Sequence, residues 1–136
     1  KTYVMEKQRF IGITIGTNYD YDSDIKIDFK TKKNESGPSG GLMTTLAIYN
    51  KITDKDLSHG KKIIGTGTID INGNVGEIGG VKYKLLGASR EDCDIFLIAK
   101  DNYKEALKVK KEYDLDIKII SVETIDDAIR ELERLD

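Results

Sequence analysis

The sequence predicts a mixed α/β domain, strand-rich in its first half and built as strand–helix–strand–helix in its second. Three observations carry that expectation. Residues 9–17 and 24–31 alternate apolar and polar side chains, the period of half-buried strands. Residues 94–135 pass repeatedly from short apolar runs to segments of helical spacing. Between the halves, Asn72-Gly73 separates two apolar runs, a strong short-range hairpin signal.

Each element has its own justification. RFIGITIGT (9–17) is preceded by a charged lead-in from Lys1. In DIKIDFKT (24–31), Ile25, Ile27 and Phe29 fall on one face and Lys26, Asp28 and Lys30 on the other. A glycine-rich corner follows, NESGPSGG, containing the only proline of the chain. Leu42, Leu46 and Tyr49 then recur at helical spacing. Residues 51–62 are polar and turn-rich. Strands are expected over 63–71 and 74–78, joined by a type I′ turn in which Asn72 and Gly73 both take positive φ. A helix over 81–90 starts after Gly79-Gly80. Residues 94–99 read as a buried strand, 102–113 as a helix and 116–120 as a strand. Ser121 or Thr124 caps a last helix carrying Ile125, Ala128, Ile129, Leu132 and Leu135.

The 136 residues suffice for one domain (1–136) with a core that needs no disulfide or metal. A net charge of −2 gives no basic excess for nucleic acid. Lys108, Lys110 and Lys111 are interleaved with apolar and acidic positions, as on a solvated helix face. Cys93 is the single cysteine, so it forms no intramolecular disulfide and no cysteine metal site. No apolar run reaches the roughly 18 residues that span a bilayer. The chain opens on Lys1 without a signal-peptide pattern, as a processed chain or a piece excised from a longer one does.

Chemistry is concentrated in GPSGG (37–41). Proline suits the first turn of a helix, and glycines on both sides clear space around Ser39. The result is a hydroxyl among backbone N–H groups that lack helical acceptors. Ser39 is therefore either a capping hydroxyl or a nucleophile beside an oxyanion site. A phosphate loop is excluded because no Lys-Ser/Thr pair follows Gly40 or Gly41. GTGTID does not complete a dinucleotide fingerprint either, since Asp70 stands at its last position. No cofactor is expected.

A nucleophilic serine needs a base. His59, the only histidine, sits in the polar DLSHGKK loop and reads as a surface residue. A lysine serves if burial favours its neutral amine. Lys82 and Lys84, in GGVKYKLLGA, both flank the Val81–Leu85–Ala88 face of their helix, and the helical wheel does not choose between them.

Taken in order, GPSGG, GTGTIDINGNVGEIGG and GGVKYKLLGA resemble the proteolytic domain of the Lon protease family, over about residues 9–100 and more loosely beyond. The wording GPSGGLMTTLAIYNKITDKDL and GKKIIGTGTID is most similar to membrane-anchored Lon-like proteases that carry a PDZ domain. The resemblance implies a serine endopeptidase acting on protein or peptide substrates, with the Lon proteolytic fold. The family pattern G-P-S-A-G with G-G-x-x-x-K places the catalytic dyad on Ser39 and Lys84, within hydrogen-bond reach, with Lys82 turned to solvent. It places Thr66 beside the lysine amine as a supporting residue. It also implies ring-like homo-oligomers, usually hexamers, of which this piece retains weak self-association through the helix after Ser39 and residues 51–62. A location on the extracytoplasmic side of the cell membrane follows, through an N-terminal anchor that these residues do not contain; a cytoplasmic Lon-type protein is the alternative. The chain departs from the family at Gly40, where alanine is usual, and at Ser36, where Lon proper often has aspartate. The rival expectation is a non-catalytic binding or assembly module of the same fold.

Overall fold

A computed structural model describes residues 2–5, 8–11 and 37–135. The strand expected over 24–31, the part of 9–17 beyond Ile11, and Ser36 lie outside the described residues. The charged lead-in contains a strand of its own. β1 (Thr2–Met5) pairs antiparallel with β2 (Gln8–Ile11), Thr2 opposite Ile11 and Met5 opposite Gln8. Thr2-Tyr3-Val4 has the β-branched and aromatic composition of a strand, which the flanking charges obscured.

From residue 37 onward the mixed α/β expectation holds. A 3-10 turn (Pro38–Gly40) leads into α1 (Gly41–Thr53). Then come β3 (Ile63–Thr66), β4 (Thr68–Ile69), β5 (Val75–Gly76) and α2 (Val81–Arg90). The chain continues with β6 (Ile95–Ala99), a 3-10 turn (Lys100–Asn102) and α3 (Tyr103–Glu112). It closes with β7 (Lys118–Val122) and α4 (Ile125–Glu133).

The central sheet is parallel, in the order β3-β6-β7. All five residues of β6 are buried, as a strand covered on both faces requires. Its alternation divides the core. Ile95, Leu97 and Ala99 join Leu42 and Leu46 of α1 and Ala128 and Leu132 of α4. Phe96 and Ile98 join Val81, Leu85 and Ala88 of α2 and Ala106 and Val109 of α3. Among the described residues the central sheet is therefore the middle of three layers, with α1 and α4 on one face and α2 and α3 on the other. Both crossover helices lie on one face, the arrangement that repeated strand–helix–strand crossovers of one hand produce.

Three sequence expectations need correction. The strand over 63–71 is two strands. Gly67 interrupts it, because its N–H donates to the Ser39 carbonyl (2.9 Å) and its carbonyl accepts from the Leu42 N–H (3.1 Å). β3 thus stays with β6, whereas β4 turns away to pair antiparallel with β5. The hairpin exists, but its turn is not type I′. Gly73 has positive φ (82°) and Asn72 does not. Gly73 N–H donates to the Asp70 carbonyl and Asp70 N–H to the Asn74 carbonyl, a three-residue loop closed by a left-handed glycine. The Asp70 carboxylate selects it by accepting from the N–H groups of Asn72 (2.8 Å) and Asn74 (2.9 Å) and from Asn74 Nδ2 (2.7 Å). Finally, β7 begins two residues later than the 116–120 reading. Ile117 is buried but lies in the connection, where its carbonyl accepts from Lys110 Nζ (2.7 Å). Ser121 consequently belongs to β7. Thr124 is the cap of α4, in a reciprocal box with Asp127.

The hairpin makes acid stability testable. Hydrogen bonds from the Asn74 side chain and backbone hold the Asp70 carboxyl below its ordinary range. A carboxyl with a depressed folded value adds stability above its unfolded value, near pH 4, and loses that stability as pH falls through the folded value. Thermal melts between neutral pH and acid are expected to show a shallower decline for Asp70→Ala than for the unsubstituted domain. Parallel declines would remove Asp70 from the acid response.

Candidate active site

The site is built where β3 ends. In open parallel sheets, reacting groups gather outside the carboxyl ends of strands, and Thr66 is the last residue of β3. It is one of two buried polar residues among those described. Its Oγ1 donates to the Ser39 carbonyl (3.1 Å), and Gly67 N–H donates to the same carbonyl. The 3-10 turn is thereby fastened to the strand end, and α1 leaves it with Leu42 fully buried. Two close approaches make this docking possible. A Cβ on Gly41 would lie 2.8 Å from Ile69 Cγ2, and one on Gly67 would lie 2.7 Å from Val75 Cγ1. In the sequence Gly67 stands between two threonines inside the apolar run 63–71, and its bridging role depends on Ser39 and Leu42, which only the tertiary structure brings to it.

Lys84 reaches the same point from the opposite layer. It occupies the first turn of α2, its N–H donating to the Gly80 carbonyl (3.2 Å). Val81 and Leu85 on either side are fully buried and orient the helix. Its Nζ lies 2.8 Å from Ser39 Oγ and 3.2 Å from Thr66 Oγ1. Ser39 and Lys84 are both half-buried. Among the described residues both partners of the amine are hydroxyl oxygens and no carboxylate pairs with it.

The hydrogen-bond directions are constrained. Thr66 has one hydroxyl proton, which goes to the Ser39 carbonyl, so toward Lys84 it acts as an acceptor. A neutral amine that gives one N–H to Thr66 can turn its lone pair to the Ser39 hydroxyl. The arrangement can therefore transfer a proton from Ser39 to Lys84 without moving a heavy atom far.

The other sequence candidates lie elsewhere. Lys82 Nζ sits 4.8 Å from the centre of the Tyr113 ring. It is stacked on α3's exit and not simply in solvent. Hydrogen bonding to Tyr113, reinforced by its charge, raises Lys82 above the usual lysine range, opposite to what a base requires. His59 is exposed in the connection between α1 and β3, with no bond to Ser39, Lys84 or Thr66.

Fold and site together define a mixed α/β domain that holds a serine hydroxyl on a lysine amine at the end of a parallel strand. The chain belongs to the Lon protease (S16) C-terminal proteolytic domain family, whose model matches residues 2–133. It is 37% identical over 97 residues to the Lon protease of Campylobacter concisus, covering 71% of this chain and 12% of that protein. To the Lon protease of Heliobacterium modesticaldum it is 28% identical over 131 residues, covering 96% and 16%. To the peroxisomal Lon protease homolog 2 of Caenorhabditis elegans it is 34% identical over 109 residues, covering 79% and 14%. The chain thus corresponds to less than one-fifth of the length of each of these relatives.

The departure at Gly40 is conformationally open. Its backbone is right-handed (φ −86°, ψ −6°), and a Cβ there meets nothing within 4 Å. Gly40→Ala should raise stability by about 0.4–1 kcal/mol, mainly by restricting the unfolded chain. A higher melting temperature is the expected reading; a lower one would show that the turn needs glycine at this position.

Proposed function

We propose that this domain is a serine endopeptidase in which Ser39 is the nucleophile and Lys84 the general base. The observation that carries the proposal is the 2.8 Å contact between Ser39 Oγ and an amine whose other partner, among the described residues, is the Thr66 hydroxyl. A nearby carboxylate would favour the charged ammonium, and none pairs with it among the described residues.

In the proposed cycle, Ser39 Oγ attacks the peptide carbonyl carbon while its proton passes to neutral Lys84. The resulting tetrahedral oxyanion collapses by breaking the C–N bond, and the Lys84 ammonium returns the proton to the departing amine. The acyl ester on Ser39 is then hydrolysed by water, with Lys84 again taking and returning a proton. Ser39 N–H lies in the first turn of the 3-10 segment, where N–H groups lack helical acceptors, and is the proposed oxyanion donor. Thr66 holds the amine lone pair toward Ser39.

A serine-reactive phosphonate tests the reading. Mass spectrometry should find one adduct, on Ser39. Lys84→Ala should slow the adduct by about 10²-fold or more, the usual scale of a lost general base. His59→Ala should label as the unsubstituted domain does. Labelling that is absent, or equally fast in Lys84→Ala, would favour a non-catalytic Lon-fold module.

The wider context of this reading is a membrane-tethered, PDZ-bearing Lon-like protease on the extracytoplasmic side, assembling into rings. It rests on the resemblance of GPSGGLMTTLAIYNKITDKDL and GKKIIGTGTID to that subgroup. Sedimentation of this domain at rising concentration should reveal weak self-association, and the full-length product should carry an apolar N-terminal helix and a PDZ-like segment. A strict monomer, or an upstream Walker-type ATPase, would count against this context.

A further inference from the structure

Asn102 is the other buried polar residue among those described, 5% exposed. It is the last residue of the 3-10 turn after β6 and occupies the N-cap position of α3. Asparagine at a helix start ordinarily accepts from the helix's own N–H groups. Here its side chain makes no capping bond. Its amide instead faces the backbone of Ile78, 24 residues earlier. Asn102 Oδ1 accepts from the Ile78 N–H (2.8 Å), and Asn102 Nδ2 donates to the Ile78 carbonyl (3.0 Å). The amide orientation is unambiguous, because the opposite one would oppose donor to donor and acceptor to acceptor.

The bonded segment is the lead into α2. Ile78 is followed by Gly79 and then Gly80, the N-cap of α2, with left-handed backbone (φ 72°) and no side-chain cap. Glycines at both positions leave the approach to the helix conformationally soft. Four residues beyond Gly80 stands Lys84, whose N–H donates to the Gly80 carbonyl. Asn102, fixed to the end of the central strand, thus holds the last residue before that soft joint by both its backbone groups. The bond lengths and burial make it a two-point clamp.

We infer that Asn102 is a positioning residue for Lys84: by clamping Ile78 it sets the start of α2 and keeps the amine on Ser39 Oγ. This rests on the Ser39–Lys84 reading above, and it assigns Asn102 no contact with the reacting atoms. A misplacement of about 1 Å at a reacting pair is enough to slow a reaction 10²-fold. Clamp loss is therefore expected to act on the proton transfer more than on folding.

The experiment is a double-substitution cycle on phosphonate labelling of Ser39, with folded fraction monitored by circular dichroism. Asn102→Leu removes both bonds at similar volume. It should slow labelling at least tenfold in the unsubstituted background and leave it unchanged in Lys84→Ala, because the amine it positions is already gone. A slowdown of equal size in both backgrounds, or labelling at the unsubstituted rate, would overturn the inference. Failure of the dyad reading looks different, with Lys84→Ala itself labelling normally. If Asn102→Leu does not fold, Asn102→Asp keeps the acceptor for the Ile78 N–H and replaces the donor, and is read by the same cycle. Amide exchange gives an independent check: the Ile78 N–H should be protected to the same degree as the α2 amides, and exchange at loop rates would refute the clamp.

Discussion

The site depends on one backbone junction. Gly67 donates its N–H to the Ser39 carbonyl and its carbonyl accepts from the Leu42 N–H, so the turn that presents the serine is bonded to the strand end on both sides. Thr66 adds the junction's third bond, donating its hydroxyl to the same Ser39 carbonyl. Each such bond contributes only about 0.5–1.5 kcal/mol net, yet three of them between two rigid elements leave little room for the hydroxyl to wander. The same junction explains the break between β3 and β4. A residue whose backbone groups are engaged by a helix start cannot also serve a sheet ladder, so the chain leaves the parallel sheet at that point and forms the hairpin.

Directionality then does for the amine what packing does for the turn. Thr66 is useful because it is a hydroxyl with its one proton already committed. An aliphatic side chain would leave the lysine N–H without an acceptor, and a carboxylate would accept the bond but favour the ammonium. Lys82 shows the contrast two residues earlier. Its amine meets Tyr113 and is held in the charged form, on the same helix and with the same stem. Residue type does not distinguish the two lysines; what each one meets at the end of its side chain does.

The sequence made some of this legible and hid the rest for physical reasons. β6 was readable because a run buried on both faces must be continuously apolar. The three layers follow from its alternation only once the partners of each face are known. α2 was readable from Val81, Leu85 and Ala88, but its wheel left Lys82 and Lys84 equivalent, since both flank the buried face. Family wording favoured Lys84 where periodicity could not. The Asn72-Gly73 hairpin was readable as a hairpin, whereas its turn was set by the Asp70 carboxylate, which local dipeptide statistics do not include. Asn102 was invisible: at a helix start it reads as a cap, and only the tertiary structure shows its amide turned to Ile78.

The two halves of the candidate dyad belong to different cores. Ser39 is carried by the layer in which Leu42 and Leu46 pack against Ile95 and Leu97. Lys84 is carried by the layer in which Val81 and Leu85 pack with Phe96 and Ile98. Strand β6 separates them, contributing alternate residues to each, so neither layer can shift without repacking a face of the same strand. Interiors packed to crystalline density resist such shifts. The 2.8 Å contact between hydroxyl and amine is therefore a measure of how the two layers are set across the sheet. Thr66 at the strand end bonds to both and fixes that setting where it matters. On this argument the sheet is the instrument that aligns the pair, and residues far from Ser39 that thin either face of β6 act on the site through the distance between its two layers.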